Sequence, residues 1–533
     1  MDNASVKDEI CNLFKLKYET LYNSPAYNSE TLGDQIQGAV SNKCATNCSS
    51  IQHLHSINPE MVTRASKKLK ADSYDSVYDI QGYNLIHGTP RLYTLLSMCF
   101  SSFLSHGLTP SLLNSSYLVP IPKNCRASLS QSENYRAIAI NTLFNKLLDY
   151  IFIESLQKQL KTSDFQFAYK QNFSTSLCSF LAMEAIHYYN ERGSKVLAVF
   201  LDASKAFDKV EHVKLFSELL NRGVCPIVVR YLFVSYQMSK LAVKWDNAQS
   251  QLFGQGNGVK QGAVLSPLLF AVYIDPLIER IRKSGLGCHI GNTSSNVFGY
   301  ADDLLLLSST YSSMEKLQKI CEDFGVEFNL TFNPNKSSLL IFNPPGEEVV
   351  DRSIMFLGKS IPRNSNEKHL GHVLSTSVNS VNFMDIINDM RVRTTVILKE
   401  FGHLNTWAKV NLFKSQCMSL YGCELWDLRD KNFKKICCEW RKCARLILGL
   451  SPRTHNSLIP ELISSPNVES VIFSRMLSFA SKGLSHHVIT SISYFAVLFL
   501  TLTHLLLTIS KQSAMNSILL KTNCARTVEQ NLK

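Results

Sequence analysis

The chain reads as an α+β protein, and three patterns carry that reading. The apolar run Val196–Leu201 and the run over residues 304–307 have the length and composition of buried strands. Val297-Phe298-Gly299 stands ahead of the second run, separated from it by Tyr300-Ala301-Asp302-Asp303, which is the layout of a tight strand–turn–strand hairpin. Elsewhere apolar residues recur every three or four positions, the helical period. With 533 residues the chain is long enough for a large, several-lobed core.

Residues 1–55 are polar and rich in Ser and Asn, and are expected to form a loosely ordered leader. Cys44, Cys48, His53 and His55 supply zinc-type ligands there, but at irregular spacing and with no supporting context. Asn58-Pro59-Glu60 opens a helix, with Asn at the N-cap and Pro at the first helical position. Leu92, Leu95, Leu96, Cys99, Phe100 and Phe103 continue the helical spacing. Tyr117 to Lys123 is a Pro-bounded strand, Asn134 to Ile140 a second, and helices follow over 141–160 and up to about Glu191. Val213, Leu215, Phe216, Leu219 and Leu220 share one face of a short helix capped by Gly223, and Pro226 opens another. Gly254, Gly256 and Gly258 make a flexible turn without the strand-then-helix setting of a dinucleotide site. Ser312 and Glu315 have capping-box spacing ahead of Met314, Leu317, Ile320, Cys321 and Phe324, and Gly325 ends that helix. Residues 339–342 are a strand with Lys336 just before it. Residues 383–450 are helical, with Phe413, Cys417, Leu420 and Tyr421 on one stripe.

Asp302 and Asp303 fall at the hairpin turn, and Asp202 ends the other apolar run. Asp pairs are common in turns for backbone reasons alone. Three carboxylates gathered at strand ends, however, can hold two hard cations about 3.5–4 Å apart, which activate a 3′-hydroxyl and stabilise a leaving pyrophosphate. That chemistry is nucleotide polymerisation.

Order and context strengthen the case. Phe200-Leu201-Asp202-Ala203-Ser204-Lys205-Ala206-Phe207-Asp208 comes first. Asn257-Gly258-Val259-Lys260-Gln261-Gly262-Ala263-Val264-Leu265-Ser266-Pro267 comes second, and Tyr300-Ala301-Asp302-Asp303 third. On these motifs the chain resembles the reverse transcriptases of non-LTR (LINE-like, jockey/CR1-type) retrotransposons, over about residues 56–462. The resemblance implies a right-hand polymerase. Residues 56–195 would be an N-terminal extension and fingers, 196–375 a palm with an antiparallel sheet, 383–462 a helical thumb, and 463–533 a C-terminal tail. The implied activity is RNA-directed DNA polymerase, extending a DNA primer on an RNA template with dNTPs.

The resemblance also assigns roles. Asp202, Asp302 and Asp303 would be catalytic and would hold two Mg²⁺ ions, with Mn²⁺ as the alternative. Phe207 would pack under the sugar and exclude the 2′-hydroxyl, or else be a plain core Phe. Gln261 and Gly262 would lie beneath the incoming nucleotide, and Tyr300 beside it. Lys123 and Arg136 would hold the triphosphate, where charge-assisted bonds are strong, or be ordinary surface charges. Lys336 would approach the pyrophosphate or remain an exposed Lys. Glu367 to Leu374 resembles the hairpin that grips the primer, with His369 where Tyr is usual. The segment Lys70 to Ser76 lacks the glycine that the family carries there.

A net charge of +12 suits a polyanionic partner or a solvated basic surface. Lys431, Lys434, Lys435, Arg441, Lys442 and Arg445, around Trp440, form the densest basic stretch and a candidate nucleic-acid contact. The 15 cysteines are scattered, Cys437, Cys438 and Cys443 read as buried thiols, and residues 1–20 lack the apolar core of a signal peptide. Free thiols in an intracellular compartment, nucleus or cytoplasm, are therefore expected. Residues 488–509 lack Asp, Glu, Lys and Arg and are long enough to span a bilayer. They read as a core helix, a membrane tail anchor or drifted sequence. No nuclease-type acidic set precedes the polymerase-like part, so a fragment of an element is expected. Two alternatives stand beside the polymerase: an inactive remnant that at most binds nucleic acid, and the reverse transcriptase of a group II intron.

Overall fold

The computed structural model describes residues 2, 6–23, 29–45, 57–75, 77–124, 128–343, 352–376, 383–418, 420–426 and 432–484. Its centre is a four-stranded antiparallel sheet in the order Val297–Tyr300, Asp303–Ser308, Val196–Leu201, Ser338–Phe342. Val196–Leu201 is buried at every position, as its unbroken apolar run requires of an inner strand covered on both faces. Helices Thr175–Asn190, Ser266–Lys283 and Tyr311–Glu327 share its core, with Phe270, Tyr273, Leu317 and Phe324 fully buried. This is the palm.

The fingers sheet runs Tyr135–Asn141, Ser115–Pro122, Lys240–Trp245, Ala248–Gln249, and Phe253–Gly254 also pairs with Lys240–Trp245. Ser115–Pro122 and Lys240–Trp245 are parallel, which takes a long crossover through the palm. Pro120 and Pro122 are accommodated beside Tyr135–Asn141, the edge strand. The thumb has a separate core, in which Phe413, Ile436 and Trp440 are buried between helices Phe383–Glu400, Thr406–Cys417 and Phe433–Leu448. These three lobes largely occupy the stretches that the sequence resemblance assigns to fingers, palm and thumb, and take those names. The hairpin of Asn366–His369 and His372–Ser375 joins palm to thumb. There Tyr421 donates to the Leu370 carbonyl at 2.7 Å and stacks on His372.

Several expectations hold locally. Asn58 caps Pro59–Ser66 by accepting from the Met61 amide, and Pro226 opens Pro226–Gln237. Gly223, at φ 76°, follows the helix His212–Asn221 as its stop.

Others are corrected. The expected loose leader is in part the helix Lys7–Tyr22, whose Cys11, Phe14, Tyr18 and Tyr22 are buried against Leu118, Tyr135, Leu241 and Val243 of the fingers. Its exposed face is polar apart from Leu16, so composition concealed an apolar stripe. Helix Tyr311–Glu327 is capped by Thr310, whose side chain accepts from the Ser313 amide, and not by Ser312, which already lies in its first turn. Gly325 lies inside that helix's last turn, where a Cβ would meet the Leu330 carbonyl at 2.7 Å. The Phe413–Cys417 stripe stops with its helix at Cys417, and Tyr421 is exposed at the palm–thumb junction. Cys437 and Cys443 are buried, but Cys438 faces solvent on the polar side of its helix.

The described cysteines are unbridged. Segment 488–509, and Cys48, His53 and His55, lie outside the described residues. No helix among the described residues is long and apolar enough to cross a membrane.

Candidate active site

Strand register builds the acidic centre. Leu304 pairs with Leu201 between the two inner strands, and Tyr300 pairs with Asp303 across the hairpin turn. The residues just beyond the Leu304–Leu201 pair are Asp303 and Asp202, so the antiparallel ladder directs them to the same sheet edge, with Asp302 in the turn between. Burial raises Asp302, Asp202 raises it further, and Arg136 opposes both. Burial, Asp302 and then Asp202 push Asp303 up to about 6. Crowded carboxylates that resist ionisation in protein alone are a site waiting for positive charge.

The turn is held from behind. Ala301 has φ 57°, a left-handed conformation that costs a side-chain-bearing residue about 1–2 kcal/mol. Fully buried Gln166 secures it: the Ala301 amide donates to Gln166 Oε1 at 2.9 Å, and Gln166 Nε2 donates to the Ala301 carbonyl at 3.3 Å. The Ala168 amide donates to the same Oε1 at 3.1 Å. Backbone bonds between Phe165, Phe167 and Gly299 extend this brace along the hairpin. A Cβ on Gly299 would lie 2.9 Å from Ile278 Cδ1, so a side chain there would require the isoleucine to shift.

Asp202 is fixed by its main chain. Its carbonyl accepts from the Asn333 amide at 2.9 Å, and the Ser204 amide donates to the Thr331 carbonyl at 2.8 Å. The chain then turns through Lys205, at φ 52°, into the short turn Ala206–Lys209. Half-buried Phe207 stacks on Phe270, with ring centroids 4.2 Å apart and planes at 15°. The Val259 amide donates to the Phe207 carbonyl at 2.8 Å, tying this turn to the Gln261–Gly262 loop.

That loop is pressed onto the fingers. The Ala139 amide donates to the Gln261 carbonyl at 2.6 Å, and Gly262 has φ 106°, with a Cβ position 2.7 Å from the Ala139 carbonyl. Glycine is required there by both conformation and space. Gln261 Nε2 donates to Asp208 Oδ1 at 3.1 Å, so its amide is engaged by a carboxylate that sequence reasoning had not singled out.

The expected cations converge. Lys123 is lowered first by burial, and its neighbours include Arg136, Lys205 and Lys336, whose charges lower it further. Lys123 Nζ donates to the Glu133 carbonyl at 2.7 Å. Lys336 and Lys205 are exposed beside it. Arg136 links the two groups, since its charge also reaches Asp302. Lys205 and Lys17 add to this positive lobe, and the sequence motif around Lys205 contained the signal for the first. Tyr300 is half-buried, and burial, Tyr421 and then Cys178 raise its hydroxyl. Tyr169 also borders the centre: burial, Asp302 and Tyr300 push its hydroxyl up to about 12.

Among the described residues no group of three His, Cys, Asp or Glu side chains is arranged to hold a metal ion. The acidic centre nonetheless fits hard cations of the magnesium type, which commonly take one or two carboxylates and complete their shell with water and substrate phosphates. The thumb's basic stretch is smaller than its sequence. Arg441 pairs with Glu469, Lys442 with Glu439, and Arg445 donates to the Thr454 carbonyl, while Trp440 is core. Lys434 and Lys435 stay exposed, and Lys431 lies outside the described residues.

Residues 121–372 match the family described as reverse transcriptase (RNA-dependent DNA polymerase). Over 288 residues the chain is 25% identical to the retrovirus-related Pol polyprotein of the type-2 retrotransposable element R2DM of Drosophila melanogaster, covering 53% of this chain and 26% of that one. It is 25% identical over 350 residues to the probable RNA-directed DNA polymerase of transposon X-element from the same fly, covering 59% and 36%. To the RNA-directed DNA polymerase of the mobile element jockey from Drosophila funebris it is 23% identical, covering 60% and 35%. The chain thus spans well under half the length of these relatives. Among solved structures, apo telomerase from Candida tropicalis aligns with 80% of this chain and 73% of its own, with a TM-score of 0.39 and 14% identity.

Proposed function

We propose, from the premise that this chain carries a reverse transcriptase domain of the non-LTR retrotransposon kind, that it is an RNA-directed DNA polymerase extending a DNA primer with dNTPs. The observation that carries the reading is the meeting, at one sheet edge, of Asp202, Asp302 and Asp303 with a positive lobe around Arg136. Carboxylates next to cations suit a substrate that brings both a hydroxyl to be deprotonated and a triphosphate to be held.

Asp202 and Asp302 would hold two Mg²⁺ ions, or Mn²⁺, and Asp303 keeps the site negative. When bound, such ions supply Lewis-acid activation of the 3′-hydroxyl and neutralise the departing pyrophosphate. Arg136, Lys123 and Lys336 bind the triphosphate and orient it toward the acidic edge. Phe207, braced by Phe270, presents a fixed ring to the sugar and disfavours a 2′-hydroxyl. Gln261 and Gly262 form the floor beneath the nascent base pair, and Tyr300 borders the primer side. The hairpin Asn366–Ser375 faces the primer–template duplex through its exposed Lys368 and Val373, its His369 and His372 being buried, together with Lys434 and Lys435 of the thumb.

Primer extension on an RNA template tests this. Incorporation of dNTPs well in excess of rNTPs is expected, and Phe207→Val should erode that preference. Indifference to the sugar in both proteins would remove the role given to Phe207.

A further inference from the structure

The helix Lys7–Tyr22 ends against the loop that forms the nucleotide floor. The amides of Gly256 and Asn257 both donate to the Tyr22 carbonyl at 2.9 Å, and Asn257 Nδ2 donates to the carbonyls of Leu21, at 3.3 Å, and Asp208, at 2.9 Å. Gly258 fits into the same junction at φ 83°, where a Cβ would lie 2.7 Å from the Asp208 carbonyl. At its centre, Asp208 Oδ1 accepts from the Tyr22 hydroxyl and from Gln261 Nε2, each at 3.1 Å. Tyr22 is 1% exposed and Asp208 7%.

We propose that Lys7–Tyr22 is a positioning element of the nucleotide site, with Tyr22 fixing Asp208 and Asp208 fixing the side-chain amide of Gln261. The proposal rests on the polymerase reading above.

A helix that merely covered the fingers sheet would not need this arrangement. Phe14 and Tyr18 already supply the apolar cover, and a Phe at position 22 would add to it without a polar atom. A buried carboxylate, by contrast, is costly unless its partners satisfy it. Burial raises Asp208 to about 6, against the pull of Tyr22 and Gln261, so the pair of donors is what keeps the acceptor usable. An amide is planar, and a nitrogen pinned to Asp208 fixes the oxygen end as well. Gln261 is thereby presented to the nucleotide in one orientation, where an unheld glutamine would sample several.

The test is steady-state primer extension by the full chain and by Tyr22→Phe, which removes the hydroxyl and keeps the ring. KM for dNTP should rise about fivefold, the worth of one hydrogen bond, with kcat within about twofold. Melting temperature should stay within a few degrees. In a Gln261→Ala background the same change should leave KM unmoved, because the group it orients is gone. Asp208→Asn, which keeps an acceptor oxygen, should fall between native and Asp208→Ala. A native protein that extends primers while Tyr22→Phe leaves KM unchanged overturns the proposal and leaves the polymerase standing. A rise in KM that persists undiminished without Gln261 also overturns it. A native chain that extends nothing overturns the polymerase reading, and this proposal with it.

Discussion

Leu304 stands opposite Leu201 in the palm sheet, and the ladder's next step carries Asp303 and Asp202 to one edge. The acidic centre is therefore a consequence of strand register. A slip by one residue would turn every side chain of the strand to the other face. The four leucines that follow Asp303, all at most 1% exposed, offer the same side chain to both faces, so the register is held at the turn, where Gln166 bonds the Ala301 amide and carbonyl.

Gln166 should be as necessary as its position implies. Gln166→Ala removes the partners of the Ala301 amide and carbonyl, and each buried group left unsatisfied costs about 1–3 kcal/mol. Thermal unfolding should show a clear loss of melting temperature. Extension should fall more than stability alone accounts for, with a higher metal requirement. A normal metal titration in a folded variant would mean that the turn holds itself.

Gly262→Ala should destabilise the fingers–palm contact. Its φ of 106° and the 2.7 Å approach to the Ala139 carbonyl leave no room for a methyl group. A cost of about 1–3 kcal/mol is expected from strain, read by chemical denaturation. Gly193, at φ 74° with open space around it, shares the backbone strain but not the close approach, so the difference between the two substitutions reads the contact with Ala139 alone.

Sequence reasoning reached the palm because its strands are continuous apolar runs, a signal that needs no tertiary knowledge. It reached Asp202, Asp302 and Asp303 because they end those runs. It missed the helix Lys7–Tyr22, since one stripe of four buried residues is diluted by polar neighbours. The stripe at Cys11, Phe14, Tyr18 and Tyr22 was present at helical spacing and would have revealed it. Asp208 stands within a motif and Gln166 outside those the sequence analysis names, and the roles of both depend on partners 53 and 135 positions away. No local pattern encodes such pairings.

The crowded carboxylates give a signed pH effect. Asp303 holds its proton up to about 6, above its usual 3.8. A raised carboxylate binds its proton more tightly folded than unfolded, so this group favours folding as pH falls from about 6 toward 4 and opposes it above 6. In metal-free protein, the change in melting temperature between pH 7 and 5 should be less favourable in Asp303→Asn than in the native chain. Protons should also compete with cations, so the half-saturating metal concentration should rise as pH falls toward 6. Parallel curves for both proteins would contradict the shift.

Arg136→Ala should raise KM for dNTP by about tenfold or more, as loss of a charge-assisted contact does, with a smaller effect on binding of the duplex. Lys336→Ala should act in the same direction. Equal weakening of duplex and nucleotide would instead place Arg136 on the nucleic-acid backbone.

The account stands or falls on the acidic edge, and primer extension on an RNA template with Mg²⁺ and dNTPs tests it most directly, comparing the native chain with Asp302→Ala. The prediction is extension by the native chain and a loss of at least about a thousandfold in the variant, with duplex binding and melting temperature retained. Soluble, folded native protein that extends no primer, or an Asp302→Ala variant that extends as well as native, would contradict it.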